Sequence, residues 1–235
     1  DGQPSEPVGI ARLGPSCASS CVHNLPLDLE ASSQSPSIRA PMRWPENPLV
    51  GNGQVRPEGP MKILVTGGVR SGKSTHAETL LPTAEPVRYI APGQPADPER
   101  DPEWAARVAL HRRRRPKAWR TIETCDVAPL FRSEGPVLFD CLGTWLTTTL
   151  DRLDAWNTPE ESWRSKLEDR IFELADAWAE GPATGIVVTN EVGWGLVSEH
   201  RSGRIFADWL GRANQTVAAA SDEVHLVVAG RVITL

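Results

Sequence analysis

Gly67-Gly68-Val69-Arg70-Ser71-Gly72-Lys73-Ser74 is the stretch whose residue types and spacing could do chemistry. It reads G-x-x-x-x-G-K-S and stands where such a loop works, after a short apolar run (Ile63, Leu64, Val65) and before a helical pattern. Glycine at both ends lets the backbone curl so that successive N–H groups point inward at an anion. A helix beginning near Lys73 adds its positive dipole end. In that setting Lys73 reaches the β- and γ-phosphates of a nucleotide, and the Ser74 hydroxyl ligates Mg²⁺. The blander reading is a glycine-rich turn with a stray Lys-Ser, and the flanking strand and helix argue against it. The stretch predicts a nucleoside triphosphate site.

Two further features could join it. Asp140 ends an apolar run, VLFDC, and is placed like the carboxylate that holds Mg²⁺ opposite a phosphate-loop serine. The bland alternative is an acid in a strand-end turn. His111 is followed by Arg112-Arg113-Arg114-Arg115 and then Pro116. Taken alone, such a run is a solvated helix end, and an inward histidine is a satisfied core residue. The chemical reading is that guanidinium groups form bidentate bonds to phosphate oxygens. An imidazole beside them could act as a nucleophile on phosphorus, with the arginines neutralising the attacked group.

Elements that alternate along the chain would position these residues. Strands are predicted at Lys62–Thr66, Val87–Ala91, Val137–Cys141 and Gly185–Thr189. Helices are expected from Lys73 to about Leu81, from an Asp101 N-cap with Pro102 in the first turn, and over about Ser202–Ala220. On the second helix Trp104, Val108 and His111 share a stripe facing inward. Trp163, Leu167, Ile171, Leu174 and Trp178 mark another helix, closed by Gly181-Pro182. Val224–Ala229 and Val232–Leu235 read as a strand or hairpin at the sheet edge. The pattern predicts an α/β fold, a P-loop NTPase-type, mainly parallel sheet flanked by helices. In such sheets ligands sit at the carboxyl ends of the strands, which gathers Gly67–Ser74, Ala91–Gly93, Asp140 and Asn190-Glu191 on one edge.

Composition sets the bounds. The chain has 235 residues, a net charge of -5 and nine tryptophans. That charge argues against generic nucleic-acid affinity, and no apolar run approaches the roughly 18–20 residues needed to span a bilayer. Residues 1–60 are rich in Ser, Pro, Gly and Asn and are expected to be a disordered extension, leaving 61–235 as the catalytic domain. The four cysteines are Cys17, Cys21, Cys125 and Cys141. Cys17 and Cys21 with His23 give a faint zinc pattern lacking a second ligand pair, so free thiols and a cytoplasmic setting are expected.

Several motifs in register carry a resemblance: GGVRSGKSTHAE, ARVALHRRRRPKAWRTIE, VLFDCLGTWLTTTL, VTNEVGWGLV with GRIFADWLGRANQ, and SDEVHLVVAG. Together they resemble the bifunctional adenosylcobinamide kinase/adenosylcobinamide-phosphate guanylyltransferases of cobalamin biosynthesis, across residues 61–235 and none of 1–60. The resemblance implies that Gly67–Ser74 serves the nucleotide and that His111, in an H-R-x-x-R-P segment, is the guanylylated histidine. It implies further nucleotide contacts at Arg112, Arg113, Arg114, Arg115, Glu123 and Asp140. The turn Ala91-Pro92-Gly93 departs from the family's A-T-G or A-T-S, since Pro92 lacks a hydroxyl and a backbone N–H. Asp140-Cys141-Leu142-Gly143 departs more mildly from D-C-L-T.

Two steps follow from the resemblance. The aminopropanol hydroxyl of adenosylcobinamide takes the γ-phosphate of ATP or GTP, with Lys73, Ser74–Mg²⁺ and Asp140 stabilising charge. His111 then attacks the α-phosphate of GTP, and the corrinoid phosphate takes up GMP. Homo-oligomers are implied as well. Two rivals stand beside this: a small-molecule kinase, which has no need of His111 beside four arginines, and a GTP-binding switch. The switch would want an N-K-x-D guanine reader, and Asn190-Glu191-Val192-Gly193 lacks both Lys and Asp.

Overall fold

Lys62–Thr66 forms the first strand, β1, and all five of its residues are buried. A strand this apolar belongs inside a parallel sheet covered on both faces, and that is its place in the computed structural model. The structure describes residues 61–93 and 97–235. The expectations for residues 1–60, for Cys17, Cys21 and His23, and for the Gln94-Pro95 turn lie outside the described residues.

Helix α1 (Lys73–Thr79) follows the glycine-rich loop. Then come β2 (Arg88–Ala91), α2 (Pro102–Arg114), β3 (Arg120–Glu123), α3 (Ala128–Phe131) and β4 (Val137–Asp140). The remainder is α4 (Leu142–Arg152), a 3-10 turn (Glu160–Ser162), α5 (Arg164–Glu180), β5 (Gly185–Val188), α6 (Arg201–Ala219), β6 (Glu223–Val228) and β7 (Arg231–Thr234). The seven-stranded sheet runs β3-β2-β4-β5-β1-β6-β7. All neighbours are parallel except β6 and β7, which form the expected edge hairpin.

Side chains alternate across the strands and divide the core in two. Ile63 and Val65 of β1 face a cluster with Ala77 of α1, Tyr89 and Trp119. Leu64 faces the opposite cluster, where the α4, α5 and α6 side chains meet around Trp145, Trp163, Trp178 and Trp209. The first three of those indoles are almost fully buried.

Four expectations need correction. Strand β4 ends at Asp140, because Cys141 turns out as the N-cap of α4. Helix α4 was hidden by its Thr147-Thr148-Thr149 run of β-branched residues, and β3 by having almost no apolar character. The Trp104–Val108–His111 stripe does face inward, but α2 buries no residue completely, because a cavity rather than core lies beneath it. The start of α2 is as read: the Asp101 side chain accepts the Trp104 backbone N–H at 2.9 Å, with Pro102 in the first turn. Among the described residues no helix is long and apolar enough to cross a membrane.

Candidate active site

The glycine-rich loop leaves β1 at the sheet's centre and is held from below. Gly67 has no room for a side chain, because a Cβ there would lie 2.4 Å from the Val227 carbonyl oxygen. Its own carbonyl accepts the Glu191 N–H at 3.1 Å. Further on, Ser71 accepts the Gly230 N–H at 2.8 Å through its carbonyl, tying the loop to the β6–β7 hairpin. Arg70 and Gly72 take positive φ angles of 59° and 98°, so the backbone curls into a concave turn before α1. The Ser71 hydroxyl is buried and has no hydrogen-bond partner among the described residues. Lys73 Nζ folds back 3.2 Å from the Gly68 carbonyl. Burial lowers the pKa of Lys73, and Cys141 and Asp140 counter that shift.

Beside the loop opens a cavity of about 730 Å³. Its wall includes Val69, Arg70, Ser71, Gly72, Lys73, Ser74, Ala91, Gly93, His111, Arg112, Arg114, Arg115, Glu123 and Asp140. Residues from five separate segments therefore converge at the carboxyl edge of the sheet, as the strand-end rule expects. Gly67, Gly68, Pro92 and Arg113 do not line it. Gly67 and Gly68 sit at the loop's base, while Arg113 projects from the outer face of α2 and is exposed. Pro92 is buried and its carbonyl accepts the Cys125 thiol at 2.8 Å. Next to it, a Cβ on Gly93 would come within 2.9 Å of the Trp104 ring, so the glycine lets α2 approach the strand ends.

Three of the four arginines at the end of α2 already have partners. Arg112 pairs with Glu123 at the end of β3, and Arg114 with Glu78 of α1 at 3.2 Å. Arg115 lies over the Tyr89 ring, 3.4 Å from its centroid, and donates to the Thr121 hydroxyl at 2.8 Å. Tyr89 donates from its hydroxyl to Asp140 Oδ2 at 2.6 Å, and the same oxygen is 3.6 Å from His111 Nδ1. Burial, and then the Asp140 carboxylate, raise the Tyr89 phenol well above its ordinary pKa, so it remains a donor. For Asp140 burial pushes the pKa up, but the neighbouring His111, the hydrogen bond from Tyr89 and the charge of Lys73 outweigh it. The net pKa of Asp140 is lowered, leaving a carboxylate.

A model of the family described as cobinamide kinase / cobinamide phosphate guanyltransferase matches residues 63–235. The chain belongs to this family. The bifunctional adenosylcobalamin biosynthesis protein CobU of Salmonella typhimurium is 44% identical, over 72% of this chain and 97% of the relative. CobU of Escherichia coli is 41% identical over the same shares. CobP of Pseudomonas aeruginosa is 36% identical, covering 72% of this chain and 94% of the relative. Among solved structures, the P4 protein of bacteriophage phi6 with ADP shares 17% identity at a TM-score of 0.36, covering 74% of this chain and 54% of that one. That likeness is too low to carry an argument.

Sequence reasoning missed Tyr89, Glu78 and Thr121. A tyrosine near the end of a buried strand was the available signal for the first, since a buried phenol needs a partner. Among the described residues, His76, His200 and His225 do not line the cavity. His76 bonds His225 at 2.9 Å, and His225 bonds Glu223 at 2.8 Å, joining α1 to β6.

Proposed function

We propose that the chain phosphorylates adenosylcobinamide with ATP or GTP and then transfers GMP from GTP to the product through a guanylyl group on His111. The observation that supports this most is that the phosphate loop, His111 and the side chains of Arg112, Arg114 and Arg115 line one cavity. A simple kinase needs the loop and Asp140 but no imidazole there.

In the first step Lys73 and the loop N–H groups hold the transferring phosphate and stabilise its charge. Ser74 and Asp140 would hold Mg²⁺. Both offer hard oxygen donors, Asp140 as an ionised carboxylate, which suits this cation. Among the described residues no cluster of three or more His, Cys, Asp or Glu could hold a metal alone, so nucleotide phosphates and water would complete the shell. Bound Mg²⁺ supplies charge neutralisation at the phosphates. In the second step His111 attacks the α-phosphorus and pyrophosphate leaves, while Arg112, Arg114 and Arg115 are near enough to exchange their present partners for phosphate oxygens. Glu123 would then be released to meet the nucleoside.

Self-association and a cytoplasmic setting belong to the same reading. The edge strand β7 leaves Val232 and Ile233 exposed, which supports contact with a second copy. Light scattering on the eluted protein would measure its mass.

The test of the reading is incubation with GTP labelled at the α-phosphate, without corrinoid. Native protein should retain label that is stable to alkali and lost in acid, the behaviour of a phosphoramidate. His111→Ala should retain none while still phosphorylating adenosylcobinamide. Absence of label on native protein in the presence of Mg²⁺ would leave a kinase or a nucleotide switch.

A further inference from the structure

Tyr89 is a core residue by position, 1% exposed, yet it carries a hydroxyl that core packing does not need. That hydroxyl is spent on one oxygen, Asp140 Oδ2 at 2.6 Å, and this is the oxygen nearest His111 Nδ1. On the opposite side, the ring of Tyr89 carries the guanidinium of Arg115, the residue that caps α2 four positions after His111. One side chain therefore touches both the carboxylate facing the imidazole and the end of the helix that bears it. We infer that Tyr89 is a positioning residue for guanylyl transfer, acting through Asp140 to select which nitrogen of His111 meets phosphorus. The inference rests on reading His111 as the nucleophile.

A neutral imidazole has one N–H and one lone pair, and the hydrogen bond at one nitrogen decides which is which. With a carboxylate at Nδ1, the proton sits there and the lone pair is on Nε2. The 3.6 Å separation is longer than a hydrogen bond, and contacts of this kind tighten when substrate is bound. When Nε2 forms its bond to the α-phosphorus, the bond from that phosphorus to the bridging oxygen of the β-phosphate breaks and pyrophosphate carries off the electron pair. The ring keeps its Nδ1 proton and becomes cationic, next to Asp140. Attack by the corrinoid phosphate then breaks the P–N bond and returns a neutral ring. Asp140 thus offsets a charge that exists only between the two transfers, and the Tyr89 hydroxyl keeps that oxygen from turning away. A carboxylate oriented toward a catalytic imidazole acts in the same manner in hydrolytic triads.

Tyr89→Phe removes the hydroxyl and keeps the ring on which Arg115 rests. In single turnover with α-labelled GTP, formation of the guanylyl-histidine should slow about ten-fold, the scale of losing a hydrogen bond to a charged group. Affinity for a non-hydrolysable GTP analogue should stay at the native value, and unfolding should remain a single transition at a modestly lower melting temperature. A native rate of labelling overturns the inference, as does a loss of analogue affinity that accounts for the whole effect. Independently of any variant at Tyr89, ¹⁵N-histidine spectra of native protein should show a neutral ring protonated at Nδ1 for the resonance missing in His111→Ala. Protonation at Nε2 overturns it. If native protein takes no label, the nucleophile reading fails and carries the inference with it; if native and Tyr89→Phe label equally, only the role of Tyr89 is lost.

Discussion

The phosphate loop and the histidine helix face each other across one cavity but are built in opposite ways. The loop springs from β1, whose residues are all buried, packs closely on Val227, and is tied through backbone hydrogen bonds to Gly230 and Glu191. Helix α2 has no fully buried residue, and around its C-terminus it is held by side chains: Arg112 to Glu123, Arg114 to Glu78, Arg115 on Tyr89. Backbone contacts within a core cost a large part of the total stability to break, whereas exposed ion pairs are worth about 0–1 kcal/mol each. The phosphate loop is thus part of the fold, and His111, the proposed nucleophile, is mounted on something weaker. On the proposed two-step reading there is reason to separate them in this way, since one nucleotide-binding edge must stay constant while the group above it changes from free to guanylylated.

Variants can sharpen or break that contrast. The largest effect is expected from Lys73→Ala, which should slow phosphoryl transfer from γ-labelled ATP to adenosylcobinamide by about 10²–10³-fold, the range for removing one preorganised charge stabiliser. Its thermal unfolding should stay near native, because among the described residues the hydrogen bond of Lys73 Nζ lies within its own loop. Trp145→Ala empties a site in the large cluster that is 1% exposed, so chemical denaturation should register a loss of about 3–5 kcal/mol.

Gly93→Ala probes the mount of α2. The added methyl would push on Trp104 and on Thr144, whose Cγ2 would be 3.2 Å away. Trp104 is only half-buried and can yield, so guanylylation is expected to fall about ten-fold through misplacement while unfolding changes little. An unfolding loss as large as that of Trp145→Ala would contradict the contrast. The smallest effect belongs to Glu78→Gln, which removes the partner of Arg114 on α1. Denaturation midpoints should move by about 1 kcal/mol or less, and the difference from native should shrink as salt is added.

How much of this was legible in the sequence follows the same division. The loop, Asp140 and the N-cap of α2 were readable because each depends on local chain chemistry: glycine where φ is positive, an apolar run that ends in a carboxylate, an Asp-Pro helix start. The helix stripe turned His111 inward and the strand end put Asp140 at the sheet edge, but that the two face each other appears only in the fold. Strand β3 could not be read, because Arg120–Glu123 pairs on one side only, with β2, and needs no apolar pattern to do so. Nor could the ion pairs of the arginine run, since Glu78 and Glu123 lie far from it along the chain or on another element. The role of Tyr89 is invisible in one dimension for the same reason: its ring reports burial, and its hydroxyl reports a partner that only folding brings near.

The hairpin beneath the phosphate loop has a consequence for biosynthesis of the protein. Val227 and Gly230 are translated long after Gly67 and Ser71, with most of the domain between them. While the chain is still on the ribosome, the loop has emerged but lacks its floor, and β1 lacks one of its two neighbours in the sheet. A nascent chain should therefore be unable to hold nucleotide tightly until β6 and β7 have been made and have docked. Triphosphate binding then marks a chain whose sheet has closed around β1, and nucleotide added during refolding would protect only those molecules.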